Sequence, residues 1–139
     1  MKRIPTCGRH RAGQATVEFA IVATAFFLLM FAVIQMGLAI YAYNTLWSAT
    51  QEGARYAVMH GPNRTPTAQA SDVKNVMLNT GAMLQSGNLT VTLSWPTDAN
   101  LSSQKDALVN STYNYQFQIP FLTTFTLPLK SNAQMLAEQ

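Results

Sequence analysis

From Phe19 through Gln51 the chain carries no Asp, Glu, Lys or Arg, yet directly before that run stands a carboxylate, Glu18. Two readings of Glu18 stand side by side. In the first, an apolar membrane segment begins at Phe19 and leaves Glu18 at the cytoplasmic interface beside a basic leader, where a charge near a helix end costs little. In the second, the chain is cut between Gly13 and Gln14, so that Gln14 becomes residue one and Glu18 residue five. The new α-amino group would then lie four residues ahead of the carboxylate on one helix face. With a pKa of about 7.7–8.0 it would be mostly protonated at neutral pH. Among parallel helices the carboxylate of one chain could pair with the amine of a neighbour, where leaving either charge unpaired costs several kcal/mol. Such a pair would lock the register of packed helices.

The remaining chemistry-bearing residues do not assemble into a catalytic pattern. His60 falls at the end of a helical stretch, where an imidazole ordinarily meets the terminal carbonyls. Glu52 and Arg55 are three apart on a helix and can form an exposed pair, a weak interaction. Asp98 and Asp106 share a polar loop and are expected to solvate it. No metal-ligand spacing is present, so neither metal nor cofactor is expected. Four Asn-x-Ser/Thr triplets, at Asn63, Asn88, Asn100 and Asn110, bear on glycosylation only in a eukaryotic secretory route. The one cysteine, Cys7, lies in the leader, so the remainder has no intramolecular disulfide and must be held by packing.

Charge divides the chain. The formal net charge is +3, but Lys2, Arg3, Arg9 and Arg11 all precede residue 14, and after it the acidic residues slightly outnumber the basic ones. A nucleic-acid reading therefore loses its main support, and no nucleic-acid partner is expected. Ala20 to Tyr43 is apolar or aromatic almost throughout, interrupted by Thr24, Gln35 and Gly37. About 20 such residues suffice to cross a bilayer as a helix. The basic leader keeps the N-terminus cytoplasmic and sends the rest outward. Helical spacing of Leu46, Ala49, Gly53, Tyr56 and Ala57 carries the helix on to Gly61-Pro62. Tyr41, Tyr43 and Trp47 fall where an outer aromatic belt is expected.

The outer part, residues 62–139, reads as one small α+β domain. A short helix from Ser71 to Leu84 carries Val73, Val76, Met77 and Leu84 on one side. Its partner is a small antiparallel sheet of about three strands, read from period-two alternation. The first strand has Leu89, Val91, Leu93 and Trp95 on one face, and the second Tyr113, Tyr115, Phe117 and Ile119. A third, Thr124 to Lys130, contains Pro128 and is expected at an edge. Pro96 to Asp106 reads as a polar loop. The predicted organisation is a basic leader 1–13, a long helix 14–61 with its membrane segment at about 20–43, and the outer domain.

A short basic leader ending in glycine, a glutamate at the fifth position after it, an aromatic residue and then an apolar helix resembles the signature of type IV pilin-like proteins, here Gly13, Gln14, Glu18 and Phe19. More narrowly, GQATVEFAIV followed by QEGARYAVMHG is similar to the TadE-like proteins, pseudopilins of the bacterial tight-adherence (Tad) pilus and secretion system. The tail SNAQMLAEQ is loosely similar to the family's last strand, and Gln51 departs from the basic residue often found before EGAR. The resemblance implies a non-enzymatic minor or initiating pilus subunit in the bacterial inner membrane, trimmed by a prepilin peptidase. It also implies helix-mediated docking with other pilins or pseudopilins and with the inner-membrane assembly platform, and a role in adhesion and surface colonisation. Ala20, Ala23, Thr24, Ala25, Ala32 and Gly37 would let helices approach closely within membrane lipid. Gln35 either hydrogen-bonds across a helix pair or is a tolerated uncharged polar residue. The Glu52-Gly53-Ala54-Arg55 element is a family motif without evident chemistry.

Three other readings compete with this one. An uncleaved single-pass anchor carrying a binding subunit of another envelope or secretion complex would make Gly13 and Glu18 dispensable. A secreted protein cut after Ala39 conflicts with the length of the apolar segment and its amphipathic continuation. An envelope enzyme would need a nucleophile or acid–base pair that the residues do not offer.

Overall fold

The computed structural model describes residues 9–61, 65–96, 105–118 and 124–137. The chain order is helix α1 (Arg9–Met59), helix α2 (Ala70–Thr80) and strands β1 (Leu89–Ser94), β2 (Lys105–Phe117) and β3 (Phe125–Ala137). This is the α+β arrangement that the alternation and helical spacing predict. At 51 residues and 1.5 Å per residue, α1 is about 75 Å long. Gly13 lies inside it, so the end of the basic leader is already helical.

The two halves of α1 differ in what covers them. The most apolar 18-residue window is wholly uncovered, as it would be in a helix solvated by lipid and not in the core helix of a soluble domain. Towards the C-terminus a buried stripe appears at Ala39, Ala42, Leu46, Ala49, Gly53 and Ala57, at the three- and four-residue spacing of one helix face. Five of these six residues are Ala or Gly, so the sheet and α2 come close to the helix axis, and Leu46 alone inserts a large side chain. Complete burial of a leucine contributes roughly 1.5–3 kcal/mol.

The sheet has the order β1-β2-β3, antiparallel throughout. Register places Leu89 opposite Tyr113 and Phe117 opposite Phe125. One face turns towards α1 and α2, with Leu89, Val109, Tyr113, Tyr115 and Ala133 in the core. Pro128 lies on β3, an edge strand, the kind of strand on which proline is tolerated in a sheet. α2 is capped by the Gln69 N–H, which donates to the Asp72 carboxylate at 3.1 Å. Its buried residues are Val73 and Met77.

Besides the early start of α1 and the end of β1 at Ser94, not Trp95, three boundaries differ from expectation. α2 stops at Thr80, not Leu84: the Gly81 N–H closes on the Met77 carbonyl at 2.8 Å, and Leu84 reaches the core from the following turn. β2 begins at Lys105, so Lys105 and Asp106 belong to a strand and not to the polar loop. Asp106 is buried and accepts a 2.8 Å bond from the Gln134 amide, whereas Asp98 lies outside the described residues. β3 runs past Lys130 to Ala137. In both strands small residues, Ala107, Ser111, Ser131 and Ala133, share the inward face with Val109 and Met135. The small residues give no hydropathy alternation, yet they are what close approach to α1 requires. Ile119 also lies outside the described residues.

Candidate functional site

The first turns of α1 carry the residues singled out for processing and register. Gly13, Gln14, Glu18 and Phe19 are all exposed, Phe19 at 73%. A Cβ placed on Gly13 would meet nothing within 4 Å. Glu18 has no ion-pair partner among the described residues, where the one salt bridge joins Arg55 to Glu52. Among the described residues the carboxylate is left without a cation.

Behind Glu18 a shallow groove runs along α1, lined by Val17, Ala20, Ile21, Thr24, Ala25 and Leu28. Its one hydroxyl is satisfied internally, since Thr24 Oγ1 donates to the Ala20 carbonyl at 2.7 Å. The groove can therefore meet an apolar partner without stranding a donor. Ala23 is half-buried and Gly37 is open, with no atom within 4 Å of a Cβ placed on it.

Gln35 has a partner inside its own chain. Its Nε2 donates to the Gln118 carbonyl at 2.9 Å, and its Oε1 accepts from the Tyr115 hydroxyl at 3.3 Å. Both ends of the amide are used, which fixes its orientation and ties the end of β2 to the middle of the apolar helix. Burial raises the Tyr115 phenol above its ordinary value of 10.0, with a further rise from neighbouring Tyr113. A lone glutamine in the apolar run was the sequence signal for this clamp; its partners lie 80 or more positions away and no local pattern names them.

The Glu52-Gly53-Ala54-Arg55 element divides by face. A Cβ on Gly53 would lie 2.9 Å from Val73 Cγ1 and 3.0 Å from Met77 Cγ, so glycine is where α2 crosses α1. Ala54 is fully buried. Glu52 and Arg55 point outward, 4.0 Å apart and more than half exposed, a contact worth roughly 0.3–0.5 kcal/mol at best. One turn earlier, Thr50 Oγ1 lies 2.7 Å from the Leu46 carbonyl and 2.6 Å from Ser111 Oγ, which is in turn 3.1 Å from the Ser131 carbonyl. These buried hydroxyls join helix to sheet and had no signature in the sequence. At the end of α1, His60 stacks on Tyr56 at a centroid distance of 4.3 Å, with Nδ1 3.1 Å from the Tyr56 carbonyl. A carbonyl only accepts, so Nδ1 carries the proton and the imidazole serves the helix terminus. Among the described residues no group of three or more His, Cys, Asp or Glu could hold a metal ion.

Residues 13–55 match the family model described as TadE-like protein. Over this segment the chain is TadE-like. The match starts at the glycine preceding Gln14 and ends at Arg55, so the TadE-like segment holds the open carboxylate, the groove, Gln35 and the α2 crossing in one helix. No curated protein and no solved structure matches the chain. Residues 56–139, the end of α1 and the α2–sheet domain, lie outside the TadE-like match.

Proposed function

We propose that the protein is a minor pilin-like subunit of a Tad-type pilus, non-enzymatic, anchored in the bacterial inner membrane by α1 with its outer domain in the periplasm. It is cut by a prepilin peptidase between Gly13 and Gln14. It then docks through the α1 groove with other pilins or pseudopilins and with the assembly platform, and supports adhesion and colonisation of surfaces. The observation that carries this reading is Glu18 itself, an exposed carboxylate without an ion-pair partner among the described residues, at the foot of a bare apolar helix within the TadE-like match. In an isolated anchor such a group has no use. Four residues behind a new N-terminus, and beside a neighbouring helix, it has a cationic partner. The leader keeps the uncut end in the cytoplasm through Lys2, Arg3, Arg9 and Arg11.

Glu18→Gln tests this reading. It keeps size and hydrogen bonding but removes the charge, and the outer domain, which Glu18 does not touch, stays folded. Pilus-dependent surface attachment should fall at least tenfold, the equivalent of about 1.4 kcal/mol, while the subunit remains in the membrane at normal abundance. Unchanged attachment would favour an uncleaved anchor of another envelope or secretion complex.

A further inference from the structure

The clamp at Gln35 has a geometric consequence for how deep the helix can sit. A membrane segment at residues 20–43 would place Gln35 about 12 Å inside the outer boundary, at 1.5 Å per residue. The end of β2 is hydrogen-bonded to Gln35 and would be carried to that depth. β3 follows it, because Phe117 pairs with Phe125. β3 is an edge strand, with a row of backbone groups facing away from the sheet. Hydrocarbon does not tolerate an open strand edge.

The opposite limit is also set by chemistry. Phe125 is 62% exposed and Leu127 37% exposed, on the sheet face turned towards α1. The Phe117 ring lies 5.0 Å from Tyr115 and 6.2 Å from Phe125, which makes an aromatic end beside the apolar helix. Neither a fully immersed nor a fully hydrated position suits this end. The headgroup zone does, being wet enough for an edge strand and apolar enough for a phenylalanine.

We propose that the β2–β3 end, through Phe125 and Leu127, is a second membrane contact that rests in the outer headgroup zone and sets the depth of α1. The occupant of this surface is lipid, because Phe125 connects through the Phe117 and Tyr115 rings to Gln35, and Gln35 is flanked on α1 by the exposed apolar residues Ile34 and Leu38. With Gln35 at the boundary, the span runs from Gln14 to Ile34, about 30 Å of helix, which equals the hydrocarbon thickness of about 30 Å. Glu18 is then drawn about 6 Å inside the cytoplasmic boundary, where an unpaired charge costs more than at the interface. Trp47 stands about 18 Å outside the outer boundary, clear of the headgroups. The inference rests on α1 spanning the membrane but not on cleavage or on the pilus.

Depth-dependent quenching tests it. The full chain with Cys7→Ser carries one new cysteine at a time, Ala25→Cys, Phe125→Cys or Asn132→Cys. Each is labelled with an environment-sensitive fluorophore in phosphatidylcholine–phosphatidylglycerol vesicles containing lipids spin-labelled either at the headgroup or deep in the acyl chain. The label at 25 should be quenched best by the deep probe. The label at 125 should be quenched best by the headgroup probe, several-fold more than the label at 132. Quenching at 25 with equal, weak quenching at 125 and 132 would overturn the hairpin contact and leave the membrane span intact. Absence of quenching at 25 would overturn both. A label at 125 shielded from lipid but cross-linking to a second copy would identify that end as a subunit interface and refute the lipid assignment.

Discussion

Replacing Gly53 with alanine places a methyl group against α2, and the structure predicts the sign of the effect. In an open helix the change stabilises by about 1 kcal/mol, because alanine is the better helix former. Here the new Cβ would stand 2.9 Å from Val73 Cγ1 and 3.0 Å from Met77 Cγ. Met77 is unbranched and can yield. Val73 is β-branched, confined on a helix to one dominant rotamer, and fully buried. Overpacking of this kind costs about 1–3 kcal/mol, so the net effect of Gly53→Ala is destabilisation by about 1 kcal/mol, or roughly 4–8 °C in Tm for a domain of this size. Val73→Ala removes the methyl groups that block the site, at its own cavity cost. In that background the same Gly53→Ala change becomes neutral or stabilising. The coupling between the two sites should be about 1–2 kcal/mol. Thermal unfolding of the full chain in detergent micelles, followed by near-ultraviolet circular dichroism, measures all four proteins of the cycle. Stabilisation by Gly53→Ala in both backgrounds would refute the crossing of α2 at Gly53.

Thr50→Val should cost about 1 kcal/mol, because it takes one partner from Ser111 Oγ; Thr50→Val with Ser111→Ala should cost less than the two single changes together in the same unfolding assay. Tyr115 should titrate above pH 10.0, its ordinary value, in an ultraviolet pH titration of the folded chain. Since the folded state raises that pKa, the contribution of Tyr115 to stability is complete below about pH 10 and is lost as pH rises through the higher folded value. Unfolding midpoints should therefore fall on the alkaline side, and Tyr115→Phe should flatten that fall.

The parts of this fold legible in the sequence are those written in large apolar side chains. Leu89, Val91 and Leu93, and Tyr113, Tyr115 and Phe117, announce two strands because bulky residues alternate with polar ones, and Pro128 announces an edge. The long helix is legible twice, first as an uncharged apolar run and then as a helical stripe. What stayed hidden is written in small or polar residues. The first half of β2 and the second half of β3 mix small inward residues, Ala107, Ser111, Ser131 and Ala133, with Val109 and Met135. Leu108 and Leu136 stand on the other face, so bulky apolar residues do not alternate cleanly with polar ones. Gly53 and Ala54 read as a motif without chemistry, because their role is steric and depends on a second helix some twenty positions on. Gln35 was visible as an anomaly, but its partners could be found only in three dimensions. At the N-terminal end of α1 the roles proposed for Gly13, Gln14 and Glu18 involve a peptidase and a neighbouring helix, so they are read from residue types and spacing.

The central claim is tested most directly by the mature N-terminus. Intact-mass and N-terminal peptide analysis of the protein from cells with and without the prepilin peptidase distinguishes the alternatives. We predict a chain that starts at Gln14 when the peptidase is present and retains Met1 to Gly13 when it is absent. A chain that keeps its leader in both strains would contradict the pilin-like reading and leave a membrane-anchored domain whose Glu18 has no amine to meet.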